Sequence, residues 1–492
     1  MEKLLIHGHS CCEVRTKTSS FICDPWLCGS AYWRSWWNFP EPQNVSSLIY
    51  TWKSQKNVYV YITHLHWDHF HGPTIRRIAK EIPHAQFLVP LTPETRIKDD
   101  LADVLPKGKP IRELKHAKTT KLNDEIEVTS FQSGPITADS AIAIKCKTTI
   151  LNLNDSKIFS GSMKHLLSII GQPSIVLRSH SSANPRCCIK ILNSTASMDK
   201  NKNDYSLEFA DSCYSTGAML AIPFASNMAH LHRETFGFNS ILNFADDVVT
   251  YFEGNKSKYP GMACLQVLPG EQINLSTQKL EKCNDNQRAL LASASRNEVL
   301  TSYQEQKRRT LSKQYQLESS AKINERAISK YFSSIMNQTP WLLRNMLNDH
   351  VCIEAISTSG NQFFKLDFKK KEIFNNEHAS LRSKDIHIKV HTYVLNDVCI
   401  QRHWNSLGVS KRLEITQSKQ NKTYMLLGIV CNSIESGGFI SLENIAKLRT
   451  LTVWFSRRRE ILDLFKVTMN VIFTKDYKGI IHDSQKARAL AD

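Results

Sequence analysis

Along residues 1 to about 160 the apolar positions come in short runs separated by turn residues. Val58 to Thr63 alternates and is rich in β-formers, which predicts a strand that stops at a histidine cluster. Gly72-Pro73-Thr74 then opens a helix with Ile75, Ile78 and Ile82 on one face, closed by Pro83. Phe87 to Val89, Glu125 to Ser130, Ala141 to Lys145, Ile150 to Leu153 and Ser174 to Leu177 read as further strands. Met219 to Ile222 is another, ending on Pro223-Phe224-Ala225. Strands interleaved with helices at this spacing predict a layered α/β domain.

From about residue 276 the character changes. Gln, Glu, Lys, Arg and Ala dominate, and no proline occurs until Pro340, so 276–345 reads as a helical connector. From Val351 alternation returns (Phe364, Leu366, Phe368; Ile386, Ile388, Val390), which predicts a smaller α+β domain over 346–492, finishing in a helix around Arg459 to Phe465. With 1–275 as the first domain, the division suits a chain of 492 residues, longer than one core usually organises. No internal repeat or low-complexity segment interrupts it.

Composition narrows the class. Apolar residues at 41% and charged residues at 22% are those of a soluble globular protein. No run of about 20 apolar residues predicts a membrane span. The opening MEKLLIHGHSCC is too short an apolar stretch for a secretory signal and reads as a first strand. Thirteen scattered cysteines argue against a disulfide framework and for a reducing cytoplasm. The net charge of +17 suits an anionic partner, such as a nucleotide-bearing or phosphorylated substrate. No aromatic-basic ribonucleoprotein motif or zinc-finger spacing accompanies it, which disfavours nucleic acid. Of the basic runs, Arg457-Arg458-Arg459 is expected on an exposed helical face.

The candidate chemistry sits in ITHLHWDHFHG, Ile62 to Gly72. Residues two apart on an extended segment face the same way, so His64 and His66 can grip one ion. Asp68 and His69, just beyond the strand end, can turn towards a second. Imidazole and carboxylate suit zinc, iron or manganese, and two adjacent ions can activate water or, as iron, dioxygen.

H-x-H-x-D-H after a β-rich strand resembles the signature of the metallo-β-lactamase superfamily, over roughly residues 1 to 275. The resemblance implies an αββα sandwich with its metal ligands on loops along one edge. It implies a bridging aspartate at Asp155, after Ile150-Leu151-Asn152-Leu153-Asn154, and an early aspartate at Asp24 that supports the histidine loop. The segments DSAIAIKCKTTILNLND, IVLRSHSSANPR, AIPFASNMAHLHRE and LQVLPGE follow the order of the CMP-N-acetylneuraminate hydroxylase group of that superfamily. This implies His232 as a last ligand, with His230 its local competitor.

The chain departs from that pattern in three places. A third ligand of the first ion is usual shortly before the D-S-A segment, where this chain reads Phe131-Gln132-Ser133-Gly134-Pro135-Ile136-Thr137. Gln132, Asp139, His71 or His116 are the available substitutes. The animal hydroxylases carry a Rieske domain, whose C-x-H and C-x-x-H pairs are missing from this N-terminus, so electrons are expected from a separate protein. His180 stands at a strand end where related chains are mostly apolar or small, and is a candidate ligand or acid-base group of the metal cleft, or a structural residue; Asp68 is expected to ligate and orient the nucleophile.

Other features have plainer readings. Trp33, Trp36 and Trp37 wall a pocket or pack a core. Cys11-Cys12 and Cys187-Cys188 read as core thiols. Ser181-Ser182 lacks a nucleophile-elbow setting. The expected function is therefore a metal-dependent enzyme with two divalent ions. It is foremost a di-iron hydroxylase of a small anionic, sugar-nucleotide-like substrate. The alternatives are hydrolysis of an ester, lactone, amide or phosphodiester, or a non-catalytic scaffold that kept the fold.

Overall fold

The computed structural model describes residues 2–133, 139–158, 160–181, 183, 185–194, 201–358, 360–375, 384–418, 422–437, 442–463 and 465–466. The apolar runs become two large mixed sheets. The first has eight strands, in the order Lys279–Lys282, Gln272–Asn274, Lys3–Ile6, Cys12–Arg15, Ser19–Cys23, Asn57–Tyr61, Gln86–Pro90, Ile111–Leu114. The second has seven, in the order Ala263–Cys264, Leu220–Pro223, Ile175–Arg178, Thr149–Asn154, Asp139–Lys145, Glu127–Ser133, Lys118–Lys121.

Because side chains alternate across a strand, each sheet has two faces to bury. The inner faces meet in one core, where Leu4, Val14, Phe21 and Tyr61 lie against Ile142, Ile144, Ile150 and Leu177. The outer face of the first sheet (Ile22, Val58, Val60) is covered by helices Val45–Lys53, Gly72–Glu81 and Arg96–Val104 through Leu48, Trp52, Ile75, Ile78 and Leu101. The outer face of the second (Leu151, Val176, Ala221) takes helices Ser160–Ile170, Lys202–Tyr214 and Ala245–Gly254. The layers are therefore helix, sheet, sheet, helix.

Five helices lie between residues 285 and 347, after a hairpin, Gln272–Asn274 with Lys279–Lys282, that straddles residue 275. They share a core with the C-terminal region, whose sheet runs Ile189–Ile191, Leu413–Gln417, Ile386–His391, Val351–Ile356, Gln362–Asp367, Glu372–Asn375. Its edge strand, Ile189–Ile191, comes from the first 275 residues and pairs in parallel with Leu413–Gln417. Trp33, Trp36 and Trp37 are buried in that shared core and so pack rather than wall a pocket. Arg457 corrects the sequence expectation of an exposed arginine run: it is 1% exposed, and burial pulls its guanidinium down to about 10, against the pull of Glu460 and Glu94. All thirteen cysteines are free thiols. Among the described residues, no helix is long and apolar enough to cross a membrane.

Candidate metal centre

Three strand ends meet at one edge of the sandwich. Ser19–Cys23 ends at Asp24 and its parallel neighbour Asn57–Tyr61 runs into the histidine loop, while Thr149–Asn154 of the facing sheet ends at Asp155. Asp24 (φ 43°) and Asn154 (φ 54°) both adopt left-handed backbone, a conformation costing on the order of 1 kcal/mol or more for a non-glycine residue. Their side chains show what the strain secures. Asn154 Nδ2 donates to Asp24 Oδ2 at 2.5 Å, Thr63 N donates to Oδ1 at 2.8 Å and Thr63 Oγ1 to Oδ2 at 2.7 Å. The same Oδ2 lies 3.0 Å from His69 Nδ1. Asp24 thereby holds a proton on Nδ1 of His69 and turns Nε2 inward.

The inward-facing atoms form two groups. His64 Nε2 lies 2.8 Å from His66 Nδ1, and one ring nitrogen of each histidine and a carboxylate oxygen of Asp155 lie within 4.8 Å of one another. His9, Asp68 and His69 form the second group at the same spacing. His69 Nε2 is 3.3 Å from both Asp68 Oδ2 and Asp155 Oδ2, so Asp155 stands between the groups. Asp68 is fixed on every side: Tyr32 Oη donates to Oδ1 at 2.5 Å, His9 Nε2 lies 2.9 Å from Oδ2, and Ser10 Oγ donates to the backbone carbonyl at 2.7 Å.

The electrostatics suit a cation. Burial, then His69 and His66, push the His64 imidazole well below its usual range, and burial lowers His66 as well. Burial also opposes a charged His69, but Asp68, Asp24 and Asp155 outweigh it and hold that imidazole well above its usual range. Burial raises the Asp68 carboxyl, yet His69 and His9 hold it well below the carboxylate range. His69 Nε2, buried without a hydrogen bond and 3.3 Å from Asp68 Oδ2 and Asp155 Oδ2, is an orphaned polar atom in a setting that a cation would satisfy. Four imidazoles and two carboxylates are a donor set for zinc, iron or manganese. The residues present therefore fit a metal pair.

The helix, sheet, sheet, helix layering is the αββα sandwich that the sequence resemblance implied. Among curated proteins the chain is 30% identical over 83 residues to a cytidine monophosphate-N-acetylneuraminic acid hydroxylase of Sus scrofa, covering 16% of this chain and 18% of that protein. It is 27% identical over 158 residues to a Mycolicibacterium smegmatis protein described as a Rieske 2Fe-2S iron-sulfur protein, covering 30% and 29% respectively. The chain thus spans less than a third of the length of either. Among solved structures, CmlA, a diiron β-hydroxylase from Streptomyces venezuelae, is 15% identical, with 55% of this chain and 53% of that chain covered at a TM-score of 0.34. A possible metal-dependent hydrolase from Veillonella parvula is 14% identical, with 56% and 99% covered at a TM-score of 0.38. At these scores the likenesses add nothing on function. No family model matches the chain.

Several residues singled out in the sequence lie away from the two groups. His232 is turned towards the connector: its Nε2 lies 3.1 Å from Glu318 Oε2 and its Nδ1 accepts from Glu234 N at 3.2 Å, leaving neither nitrogen for an ion. His230 Nδ1 lies 3.1 Å from Ser35 Oγ, and its ring packs edge-on against Trp36. His180 is buried and pushed down to about 3 by that burial; its ring faces Phe209, and it joins neither group. His71 caps helix Gly72–Glu81, accepting from Thr74 N. His116 pairs with Glu460, and Gln132 Nε2 donates to the Leu91 carbonyl. Asp139 alone of the four substitutes lines the same chamber as His64 and His66. Burial, then Asp155, push it up to about 7. The stretch Gly134 to Thr137 lies outside the described residues.

His9 was not legible as a ligand candidate. It sits in the turn between Lys3–Ile6 and Cys12–Arg15, within a stretch that reads as strand. The available signal was Gly8. A Cβ there would meet Asn38 Oδ1 at 2.8 Å and the Trp26 carbonyl at 3.2 Å. Only glycine lets this turn press against Asn38, whose Oδ1 accepts from His9 N at 2.6 Å and so sets the histidine over Asp68.

The chamber beside His64 and His66 has a volume of about 60 Å³ and is roofed by His403, Asn405, Asn432 and Glu435 of the C-terminal region. That space holds a few water molecules or a dioxygen. Among the described residues the arginine of its lining is Arg96, which is spent on the carbonyls of Gln401, Arg402 and Glu435.

Proposed function

We propose that the protein is a dinuclear-metal hydroxylase, with one ion held by His64, His66 and Asp155 and the other by Asp68, His69 and His9, Asp155 lying between. The observation that carries this reading is the position of Asp155, whose Oδ2 is 3.3 Å from His69 Nε2 while its carboxylate also completes the His64–His66 group. A metal pair bound there supplies activation of a small oxygen species, water or dioxygen.

The chain's own residues set the conditions. Asp24 orients His69, Tyr32 and His9 hold Asp68, and the aromatic wall of Tyr32 stacked on Trp67 (ring centroids 5.6 Å apart) keeps water from that side. Asp139, on the chamber wall beside His64 and His66, places a carboxyl where it can exchange a proton with a molecule in the chamber. Hydroxylation is favoured over hydrolysis by the partial likeness to the hydroxylases, and the partial likeness to a Rieske protein supports an electron-transfer partner. The net charge of +17 supports an anionic substrate. With Arg96 already engaged, its anionic part would lie outside the chamber and only its reacting end would enter.

Elemental analysis of the purified protein, with a visible spectrum, tests this. Two irons per chain with a charge-transfer band support hydroxylation. Two zinc or manganese ions overturn it in favour of a hydrolase, and a metal-free protein overturns both.

A further inference from the structure

We infer that Asn405, from the C-terminal region, is a positioning residue for the metal centre, its carboxamide fixing the outer nitrogen of His66. The inference rests on the proposed dinuclear site. Each imidazole of the H-x-H-x-D-H loop that faces inward through one nitrogen is held at the other. His64 Nδ1 lies 3.0 Å from Thr63 Oγ1, and His69 Nδ1 lies 3.0 Å from Asp24 Oδ2. Both partners are near neighbours in the same layer of the fold. His66 turns Nδ1 inward, 2.8 Å from His64 Nε2, and its Nε2 finds its partner elsewhere, 2.6 Å from Asn405 Nδ2, a position that the carboxamide's Oδ1 takes when the group turns by half a turn.

The chemistry requires such a partner. An imidazole that binds a cation through Nδ1 carries its proton on Nε2, and that proton needs an acceptor. A carboxamide supplies one when its oxygen faces the ring, a half-turn that leaves its shape unchanged. The acceptor fixes both the tautomer and the ring's rotation, and losing such a contact typically costs 10- to 100-fold in metal affinity.

Asn405 is held for the purpose. It follows Trp404, which is 2% exposed and whose backbone N–H donates to Glu435 Oε1 at 2.9 Å. The preceding turn is clamped to the first region by Arg96, which reaches the Gln401 carbonyl at 3.2 Å and the Arg402 carbonyl at 2.8 Å. His403 stands edge-on to Trp67, 5.5 Å between centroids, next to the metal-loop Asp68. The C-terminal region thus acts on the metal loop at two adjacent points.

The test is titration of the metal-free full-length protein with cobalt(II) against a competing chelator, following the visible ligand-field spectrum. Asn405→Ala and the near-isosteric Asn405→Leu remove the acceptor, and Asn405→Asp keeps one. The expected result is a 10- to 100-fold loss of affinity for one of two ions in the alanine and leucine variants, with an altered spectrum. The aspartate variant should bind as the parent does, and the metal-free melting temperatures should match. Parental affinity in either acceptor-less variant overturns the inference, as does an aspartate variant no better than alanine. Should alanine fail to fold, leucine carries the comparison. A parent that takes up no cobalt overturns the dinuclear reading itself, and its own titration distinguishes that failure.

Discussion

His69 Nδ1 lies 3.0 Å from Asp24 Oδ2, and solvent reaches neither side chain. The pair joins two strand ends that are 45 residues apart in the chain. Asp24 also accepts from Thr63 and Asn154, so it anchors the loop as well as orienting the ligand. Asp24→Ala should strand several buried donors and lower stability by about 3 kcal/mol or more, since each unsatisfied buried group costs ~1–3 kcal/mol. It should also weaken binding of one ion. Urea unfolding and metal content, measured on the same preparation, check both effects.

His9 and His232 should separate cleanly. His9→Ala removes a member of the second group and should release one of two ions. His232→Ala should keep both ions and cost about 1.5–3 kcal/mol, the value of its hydrogen bond to the charged Glu318. Metal stoichiometry of the two variants decides. Loss of an ion in His232→Ala would restore the ligand role that the sequence resemblance implied.

Glu318 links the connector to both regions, accepting from Arg412 Nη2 at 3.0 Å beside His232. Burial pushes its carboxyl up, but the His232 hydrogen bond and Arg412 outweigh that and hold it at about 2, below its ordinary 4.5. A carboxyl depressed on folding stabilises above the unfolded value, and that stability is lost as pH falls from 4.5 towards 2. Glu318→Gln should therefore cost about 3 kcal/mol at pH 7, by leaving buried Arg412 short of a counter-charge. The gap to the parent should shrink below pH 4.5. Denaturant midpoints at pH 7, 5 and 3.5 measure it.

Chelation should destabilise the protein. A ligand present at a hundredfold excess over its Kd adds about 2.7 kcal/mol to folding, so metal removal should lower the melting temperature and reloading should restore it. The metal-free protein should weaken further as pH drops below 6.5. His64 and His66 are held below that value by burial, so the unfolded chain takes up protons that the folded one refuses. A melting temperature insensitive to chelator would contradict the proposed ligand set.

Much of the sandwich was legible in the chain. Strand Asn57–Tyr61, helix Gly72–Glu81 and strand Thr149–Asn154 fall where the apolar periodicity puts them, because burial of one face imposes that period. Arg457 went the other way. Nothing in a run of three arginines says which one turns inward, and the packing of its helix against the sandwich buries the first. His232 illustrates the same difficulty: its neighbours in sequence point towards the site, but Glu318 and Glu234 claim both of its nitrogens.

What the sequence determined by itself is local. His64 and His66 share a face because extended chain repeats every two residues, and Asp68 and His69 fall beyond the strand end where the loop can turn them towards a second group. What the tertiary structure decided is which distant residues complete those groups. His9 comes from a hairpin turn 59 residues before Asp68, and Asn405 reaches His66 across 339 residues. Such pairings depend on sheet register and on the docking of whole layers, and no local periodicity encodes them.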